Sequence, residues 1–164
     1  MKRPPLCPSF CPSFAPLRRP AAGFTLLELM IVCVIVAVLA GIALPSYYYY
    51  VTRSKITDAT TGLSDFNQRY QQYFLDARTY VGACAIYKPL INAYLQNFQV
   101  DCPTETTTTF VLTATGVAAQ GMTNFVYQID NAGLKTTQTL PDAAWGSGLT
   151  PINCWVIRKG GSCT

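Results

Sequence analysis

Residues 24–44 read FTLLELMIVCVIVAVLAGIAL, and this stretch decides how the rest of the chain is organised. Its only ionisable side chains are Glu28 and Cys33. As an α-helix it is about 31 Å long at about 1.5 Å per residue, enough to cross a hydrocarbon core of about 30 Å. The sequence therefore predicts a helix that can span a membrane.

The charge distribution predicts how this helix is oriented. The chain has 12 basic and 8 acidic residues. Four basic residues and no acidic ones precede the apolar stretch: Lys2, Arg3, Arg18 and Arg19. The positive-inside rule places the N-terminus in the cytoplasm and the residues after Pro45 outside. The remaining chain is formally neutral, which argues against a basic domain that coats nucleic acid.

Pro45 and a run of tyrosines, residues 47–50, follow the apolar stretch. Tyrosine rings suit a membrane interface because each is apolar and carries one hydroxyl that stays hydrated. The proline ring presses on the carbonyl four residues earlier, at Gly41. We expect a bend or a weak point between Gly41 and Pro45 rather than the end of the helix.

An apolar stripe at helical spacing continues beyond the tyrosines. Its members repeat at an interval of seven in two rows offset by three: Ile56, Leu63 and Tyr70, and Ala59, Phe66 and Tyr73. This pattern predicts that the helix continues to about Leu75 and packs the stripe on its own domain. Residues 76–80 lack the period and are predicted to form an exit loop.

The later part of the chain has the composition of β-strands. Four segments rich in Thr, Val, Ile and aromatic residues are separated by turns that contain Gly or Pro: 106–115, 124–130, 134–139 and 154–158. Short strands in succession favour an antiparallel sheet. The predicted fold class is α+β, with one long helix packed on a four-stranded antiparallel sheet.

The cysteines predict two disulfides in the exported part of the chain. Four of the seven cysteines follow residue 80: Cys84, Cys102, Cys154 and Cys163. Three pairings are possible, and the spacings favour local closure, Cys84 with Cys102 and Cys154 with Cys163. A zinc site of four thiolates is the alternative, but the chain has no C-x-x-C pair. Disulfides require the oxidising compartment that the topology predicts.

Glu28 is the unexpected residue of the apolar stretch. A carboxylate there costs roughly 2.5–3.5 kcal/mol by insertion scales, so we expect it to have a functional partner. An ordinary secretory signal, cleaved after the small residues of 41–43, is the alternative. The position of Glu28 and the Gly23-Phe24 junction behind the basic cluster argue against that alternative.

The sequence Gly23-Phe24-Thr-Leu-Leu-Glu28, behind a cation-rich leader and ahead of an apolar helix, resembles the class III signal of type IV pilins and type II secretion pseudopilins. The sheet segments and the loop CWVIRKGGSC at 154–163 resemble the globular domain of PilE-type pilins. The resemblance implies a pilin fold. It also implies that a prepilin peptidase cuts after Gly23 and N-methylates Phe24. The leader is longer than is usual for the family, and an alternative start at position 17 would leave a seven-residue leader.

The resemblance also implies three segments with different environments. Residues 1–23 would be a cytoplasmic leader, residues 24–50 the transmembrane and filament-core helix, and residues 51–164 a periplasmic or extracellular pilin domain. Glu28 of one subunit would neutralise the Phe24 amine of a neighbour, and Pro45 would take part in assembly. The implied partners are other pilin subunits, the prepilin peptidase and the inner-membrane assembly platform. The subunit would pass from the inner membrane into an extracellular fibre.

The implied function is that of a structural subunit of a type IV pilus, of the minor-pilin kind, which serves adhesion, twitching motility or DNA uptake. The alternatives are a major pilin, a type II secretion pseudopilin and a monomeric single-pass membrane-anchored binding module. Arg158 and Lys159, inside the last cysteine loop, form the local basic feature that could contact DNA or a surface. The absence of histidine and of catalytic motifs predicts that the protein is not an enzyme, and we expect no metal and no cofactor.

Overall fold

The computed structural model describes residues 23–163. The predicted leader therefore lies outside the described residues, except for Gly23. The described residues divide into two units, of which the first ends at Gly41 and the second begins at Ile42. The first helix, α1, spans Leu26–Ala77 without interruption, so the prediction that it continues to about Leu75 is confirmed.

The remaining elements belong to the second unit. Helix α2 spans Ala83–Tyr94, and four strands follow: β1 (Phe98–Glu105), β2 (Phe110–Gly116), β3 (Val126–Asp130) and β4 (Lys135–Thr139). Short 3-10 turns lie at Ala118–Gln120 and Ser147–Leu149. The strands form one antiparallel sheet in the order β1-β2-β3-β4. The predicted class, a long helix packed on a four-stranded antiparallel sheet, is confirmed.

The predicted stripe of α1 forms the helical side of the core. Ile56, Ala59, Leu63, Phe66 and Tyr70 are fully buried, whereas Tyr73 is half-buried. The sheet contributes residues at alternate positions of its strands: Phe98, Val100, Phe110, Leu112, Ala114, Tyr127 and Ile129. This period of two puts one face of each strand against α1. The ring centroids of Tyr70 and Phe110 lie 4.8 Å apart at the centre of this contact.

The predicted positions of the strands are partly wrong. The sequence does not predict α2 or β1, and residues 106–109 form a tight turn in which the Thr106 hydroxyl accepts a hydrogen bond from the Thr109 amide at 2.9 Å. The predicted strand over 154–158 is absent from the four-stranded sheet. That segment docks instead through the buried Thr137 side chain, whose hydroxyl donates to the Cys154 carbonyl at 2.6 Å and accepts from the Val156 amide at 2.9 Å.

The two predicted disulfides are present. The Cys84–Cys102 disulfide joins the first turn of α2 to β1, and the Cys154–Cys163 disulfide closes the C-terminal loop. Each bridge spans a short stretch of sequence, 18 and 9 residues respectively, so both act as local closures. Cross-links of this kind stabilise a small domain chiefly by restricting its unfolded state.

Different groups cover the outer edges of β1 and β4. On β1, the Asn92 side chain of α2 donates to the Val100 carbonyl at 3.1 Å and accepts from the Val100 amide at 2.7 Å. On β4, the Thr137 and Ile152 backbones exchange two hydrogen bonds, at 2.8 and 3.0 Å. Helix α2 therefore lies at the β1 edge of the sheet, and the C-terminal segment lies at the β4 edge.

Candidate assembly site

The start of α1 places Glu28 in the first helical turn. Thr25 is the N-cap residue: its hydroxyl accepts a hydrogen bond from the Glu28 amide at 3.1 Å, and its carbonyl accepts one from the Leu29 amide at 3.2 Å. A Thr followed three positions later by Glu is the sequence signature of a capping box. Sequence analysis missed this role of Thr25, although the T-x-x-E pattern could have revealed it.

The Glu28 side chain is exposed and has no cationic partner within the described part of the chain. The two ion pairs among residues 23–163 are Arg69–Asp65 and Lys88–Asp101, both in the second unit. A carboxylate in the first turn is favoured by the partial positive charge of the helix N-terminus. That interaction leaves the carboxylate available to a charged group from outside the described chain.

The apolar surface around Glu28 is also exposed. Phe24 is 80% exposed, and large aliphatic side chains are exposed throughout residues 26–39. By length and composition, α1 is the helix among residues 23–163 that can cross a membrane. An apolar surface that runs along several helical turns is unfavourable in water, so lipid or other apolar helices must cover it.

The tyrosine run is not uniform. Tyr47, Tyr48 and Tyr50 are exposed, as expected of an interfacial belt, but Tyr49 packs inward. The Tyr49 ring centroid lies 6.0 Å from that of Trp145. Pro45 lies inside α1 one turn earlier and has no N–H for the helical hydrogen bond. The expected bend or weak point at this proline stays a prediction.

The C-terminal loop presents the two predicted basic residues at its tip. The Ile157 and Arg158 amides both donate to the Ser162 carbonyl, at 3.0 and 3.1 Å, and close a tight turn. Gly160 and Gly161 occupy this turn with φ of 80° and 73°, a left-handed conformation that glycine adopts without steric cost. Arg158 and Lys159 are exposed, and the Lys159 Nζ atom lies 5.8 Å from the Tyr49 ring centroid.

Glu105 is a second residue that sequence analysis missed. Its Oε1 atom accepts hydrogen bonds from the Cys84 amide at 2.7 Å and from the Tyr70 hydroxyl at 3.1 Å. Burial, with a further contribution from Glu105, raises the pKa of Tyr70 well above its usual range. One carboxylate thus ties α1, α2 and β1 together, which is a structural role.

Two other features of the second unit bear on ligand binding. Cys84, Asp101 and Cys102 lie close enough for metal coordination, but the two cysteines are joined in a disulfide and are not available as thiolates. A groove of about 460 Å³ lies between α1 and the C-terminal segment, where the Lys135 ammonium sits 4.7 Å from the Trp155 ring centroid.

Comparisons with known families agree with both parts of the chain. Residues 18–44 match the family described as the prokaryotic N-terminal methylation motif. Residues 45–124 match the family described as type IV minor pilin ComP, DNA uptake sequence receptor. A methylation motif on an exposed apolar helix, followed by a helix-on-sheet domain, defines a pilin-type protein. The family that the chain resembles is therefore that of the type IV pilins, and the resemblance noted in the sequence is confirmed.

Similarity to individual proteins covers a limited part of the chain. The fimbrial protein EcpC of Eikenella corrodens is 42% identical over 60 residues, which cover 37% of this chain and 39% of the relative. The type IV major pilin protein PilE1 of Neisseria gonorrhoeae is 41% identical over 54 residues, 33% of each chain. The chain therefore aligns with about two fifths or less of these curated relatives. The crystal structure of the non-core minor pilin PilV of Neisseria meningitidis is similar with a TM-score of 0.49 and 15% identity, over 57% of this chain and 92% of that chain.

Proposed function

We propose that the protein is a structural subunit of a type IV pilus and assembles through residues 24–50. The observation that supports this most directly is the exposed apolar surface of α1, which carries a carboxylate without a cationic partner in the described chain. The match of residues 45–124 to a type IV minor pilin family and the methylation motif over residues 18–44 agree with it. The proposed role is structural rather than catalytic.

The proposed assembly step pairs Glu28 with the N-terminus of a neighbouring subunit. Cleavage after Gly23 leaves a cationic amine on Phe24, which the prepilin peptidase N-methylates in a separate step. When apolar helices pack together, this amine and the Glu28 carboxylate of the adjacent subunit are both removed from water, and their attraction is weakly screened. Leaving one of the two charges alone costs about 3–5 kcal/mol, so the pair selects the helix register in which both are matched.

The proposed route follows from this arrangement. Residues 1–23 are the cytoplasmic leader that prepilin peptidase removes, and residues 24–50 hold the subunit in the inner membrane. Residues 51–164 form the periplasmic domain, where both disulfides form. The inner-membrane assembly platform then extracts the subunit, and the domain becomes extracellular on the fibre.

The experiment that tests the charge pair compares Glu28→Ala and Glu28→Gln with Cys33→Ala, a control in the same apolar stretch. Each variant is followed in the membrane pool and in sheared fibres. We expect both Glu28 variants to be cleaved normally and to fall at least about tenfold in the fibres, because the neighbouring amine loses its partner. Cys33→Ala should enter fibres normally. Normal incorporation of Glu28→Ala would contradict the charge-pair mechanism.

Mass spectrometry of sheared fibres also separates the classes of subunit. We propose the minor-pilin class, which the matched family description supports. An N-methylated Phe24 peptide at trace abundance is the result expected of a minor pilin, and high abundance would indicate a major pilin. A methylated Phe24 peptide that is absent from pili would favour a type II secretion pseudopilin. A chain that is never cleaved at Gly23 would favour the monomeric membrane-anchored module.

We propose DNA binding during uptake as a second function, with adhesion and twitching motility as the other possible roles of such a fibre. The proposal is supported by the exposed Arg158 and Lys159 at the tip of a disulfide-closed loop, and by the family description, which names a DNA uptake sequence receptor. Replacing both residues by Gln should reduce the slope of log affinity against log salt by about 2. Arg78→Gln, at an exposed cation after α1, is the matched control. An unchanged salt slope would exclude the loop from the DNA contact.

A further inference from the structure

The two edges of the sheet carry surfaces of different chemistry. Helix α2 lies at the β1 edge, and the C-terminal loop belongs to the segment at the β4 edge. Both elements are part of the second unit. One disulfide joins α2 to β1, and the other closes the C-terminal loop. The exposed residues of each edge can therefore be compared as fixed surfaces.

The outer face of α2 is apolar. Ile86, Leu90 and Tyr94 follow one another at intervals of four, which places them on one side of the helix, and they are 49%, 53% and 52% exposed. The opposite side of the helix is anchored by the buried Ile91 and by the Asn92 hydrogen bonds to β1. The α2 face, defined by Ile86, Leu90 and Tyr94, is thus preorganised and does not need to be ordered on binding.

A hollow with an acidic wall adjoins this face. It measures about 240 Å³ and is lined by Asp58, Thr61 and Gly62 of α1 and by Tyr94 and Leu95. The Asp58 carboxylate is exposed and accepts a hydrogen bond from the Asn97 amide group at 3.1 Å. Among residues 23–163 no cation lies within ion-pair distance of Asp58. An aromatic ring beside a carboxylate suits the side chain of an arginine or a lysine.

The tip of the C-terminal loop has the complementary chemistry. Arg158 is exposed and forms no ion pair within the described part of the chain. Leu149 is 66% exposed, and its Cδ1 atom lies beside Gly161, so that a Cβ added to that glycine would sit 3.2 Å from it. We call Arg158, Lys159 and Leu149 the basic tip. The basic tip combines an apolar side chain with two cations. The α2 face and the adjoining hollow combine apolar side chains with the Asp58 carboxylate.

The geometry points to a contact in which the basic tip of one subunit docks on the α2 face of a second copy, with Arg158 beside Asp58. Because the two surfaces lie at opposite edges of one sheet, each subunit can use both at once. Such a heterologous contact propagates instead of closing into a dimer. A minor subunit forms it within a short run of copies, and a major subunit forms it along the fibre.

This inference rests on the proposed function, because the contact alone is small. Three side chains and one small hollow are far fewer groups than the roughly 20–30 residues that each partner contributes to a stable specific interface. The contact therefore acts only when the apolar helices already hold the subunits together. Its effect is to select a lateral register between neighbouring domains.

The test uses the full chain and measures its amount in sheared fibres relative to the membrane pool. Asp58→Lys and Arg158→Glu each turn the attraction into repulsion, and the double variant restores it with the charges exchanged. Asp76→Lys and Arg78→Glu are matched controls, since both residues are exposed, lie at the end of α1 and undergo the same changes of charge. The membrane pool and its two disulfides report whether each variant folds.

We expect each single reversal at Asp58 or Arg158 to lower the fibre fraction about fivefold, and the double variant to recover to within about twofold of the wild type. Recovery of the fibre fraction in the double variant supports the pairing of Arg158 with Asp58. If Arg158 acted only by binding phosphate, a change at Asp58 would not restore the fibre fraction. Single variants that behave like the Asp76 and Arg78 controls overturn the contact, as does a double variant without recovery. Absence of the wild-type chain from fibres overturns the proposed function and this inference together.

Discussion

Replacing Thr137 by Val is expected to detach the C-terminal segment from the sheet. Thr137 is fully buried on β4, and valine has nearly the same shape, so the change removes polarity without leaving a large cavity. Two hydrogen bonds disappear: one to the Cys154 carbonyl at 2.6 Å and one from the Val156 amide at 2.9 Å. Val156 is itself fully buried, so its amide has no access to water.

The expected loss of stability follows from the two backbone groups that lose their hydrogen-bond partner, the Cys154 carbonyl and the Val156 amide. An unsatisfied buried donor or acceptor costs about 1–3 kcal/mol, and the half-buried Cys154 recovers part of this through water, so we expect Thr137→Val to lower the free energy of unfolding by about 2–4 kcal/mol. With a urea dependence of about 2 kcal/mol/M for a domain of this size, the midpoint should fall by about 1–2 M.

The assay is urea unfolding of the full chain in detergent, followed by tryptophan fluorescence. Trp155 lies in the affected segment, and its indole N–H donates to the Gln128 carbonyl at 2.9 Å. Thr115→Val is the control, because it is the same substitution at an exposed position of β2. A midpoint for Thr137→Val that equals the midpoint of this control would refute the argument.

Three further predictions concern other parts of the second unit. Gly116→Ala should lower the unfolding midpoint by more than a surface change does, because a Cβ at this position would overlap the Met122 backbone carbonyl; circular dichroism melting checks it. Lys88→Met should raise the pKa of Asp101, which its hydrogen bond with Lys88 holds below the usual range, and carboxyl NMR titration measures the change. In the native protein this pair contributes stability above about pH 4 that is lost as the pH falls through the lowered pKa. Burial and a carboxylate partner raise the pKa of Tyr94 to about 12, so its contribution is present below about pH 10 and is lost as the pH rises toward 12; ultraviolet titration against the Phe variant checks this.

The helical half of the fold could be predicted because its signal is long and periodic. The rows that begin at Ile56 and Ala59 occupy one side of α1 over several turns, and burial follows them closely. No comparable signal marks α2. It is a single short helix with a proline at position 89, and its burial depends on the Cys84–Cys102 disulfide and on Asn92, which are contacts distant from the local pattern.

The strands show the limits of composition as a signal. The segment 154–158 has the β-branched and aromatic residues of a strand, yet the Thr137 side chain takes the backbone partners that a neighbouring strand would need. In contrast, β1 contains Asp101 and Pro103 and does not resemble a strand, and a register shift between Asp101 and Thr104 accommodates the irregularity. The β-propensity of a segment shows whether it can form a strand, and its tertiary contacts decide whether it does so in the folded protein.

The residues of the candidate site that stand out from their neighbours in sequence could be predicted, whereas those that depend on contacts between distant segments could not. Glu28 is conspicuous because an acid in an apolar stretch is costly, and the basic residues at 158 and 159 stand inside a short cysteine loop. The inward packing of Tyr49 on Trp145 was not predictable, because the two residues are distant in sequence and the neighbouring tyrosines have the same composition. The role of Glu105 likewise depends on elements that meet only in the folded domain.

The hydrogen bonds at Asn92 and Ile152 have a consequence for solubility at high density. In the membrane pool that the proposed function requires, neighbouring domains would collide often, and unpaired strand edges would allow amyloid-like stacking. The Asn92 side chain at the β1 edge and the Thr137–Ile152 backbone bridge at the β4 edge occupy hydrogen-bonding groups of the sheet. A strand from another subunit would need these groups in order to pair with the sheet. In the proposed assembly, the folded domains then offer no free strand edge for pairing, and polymerisation depends on the apolar half of α1.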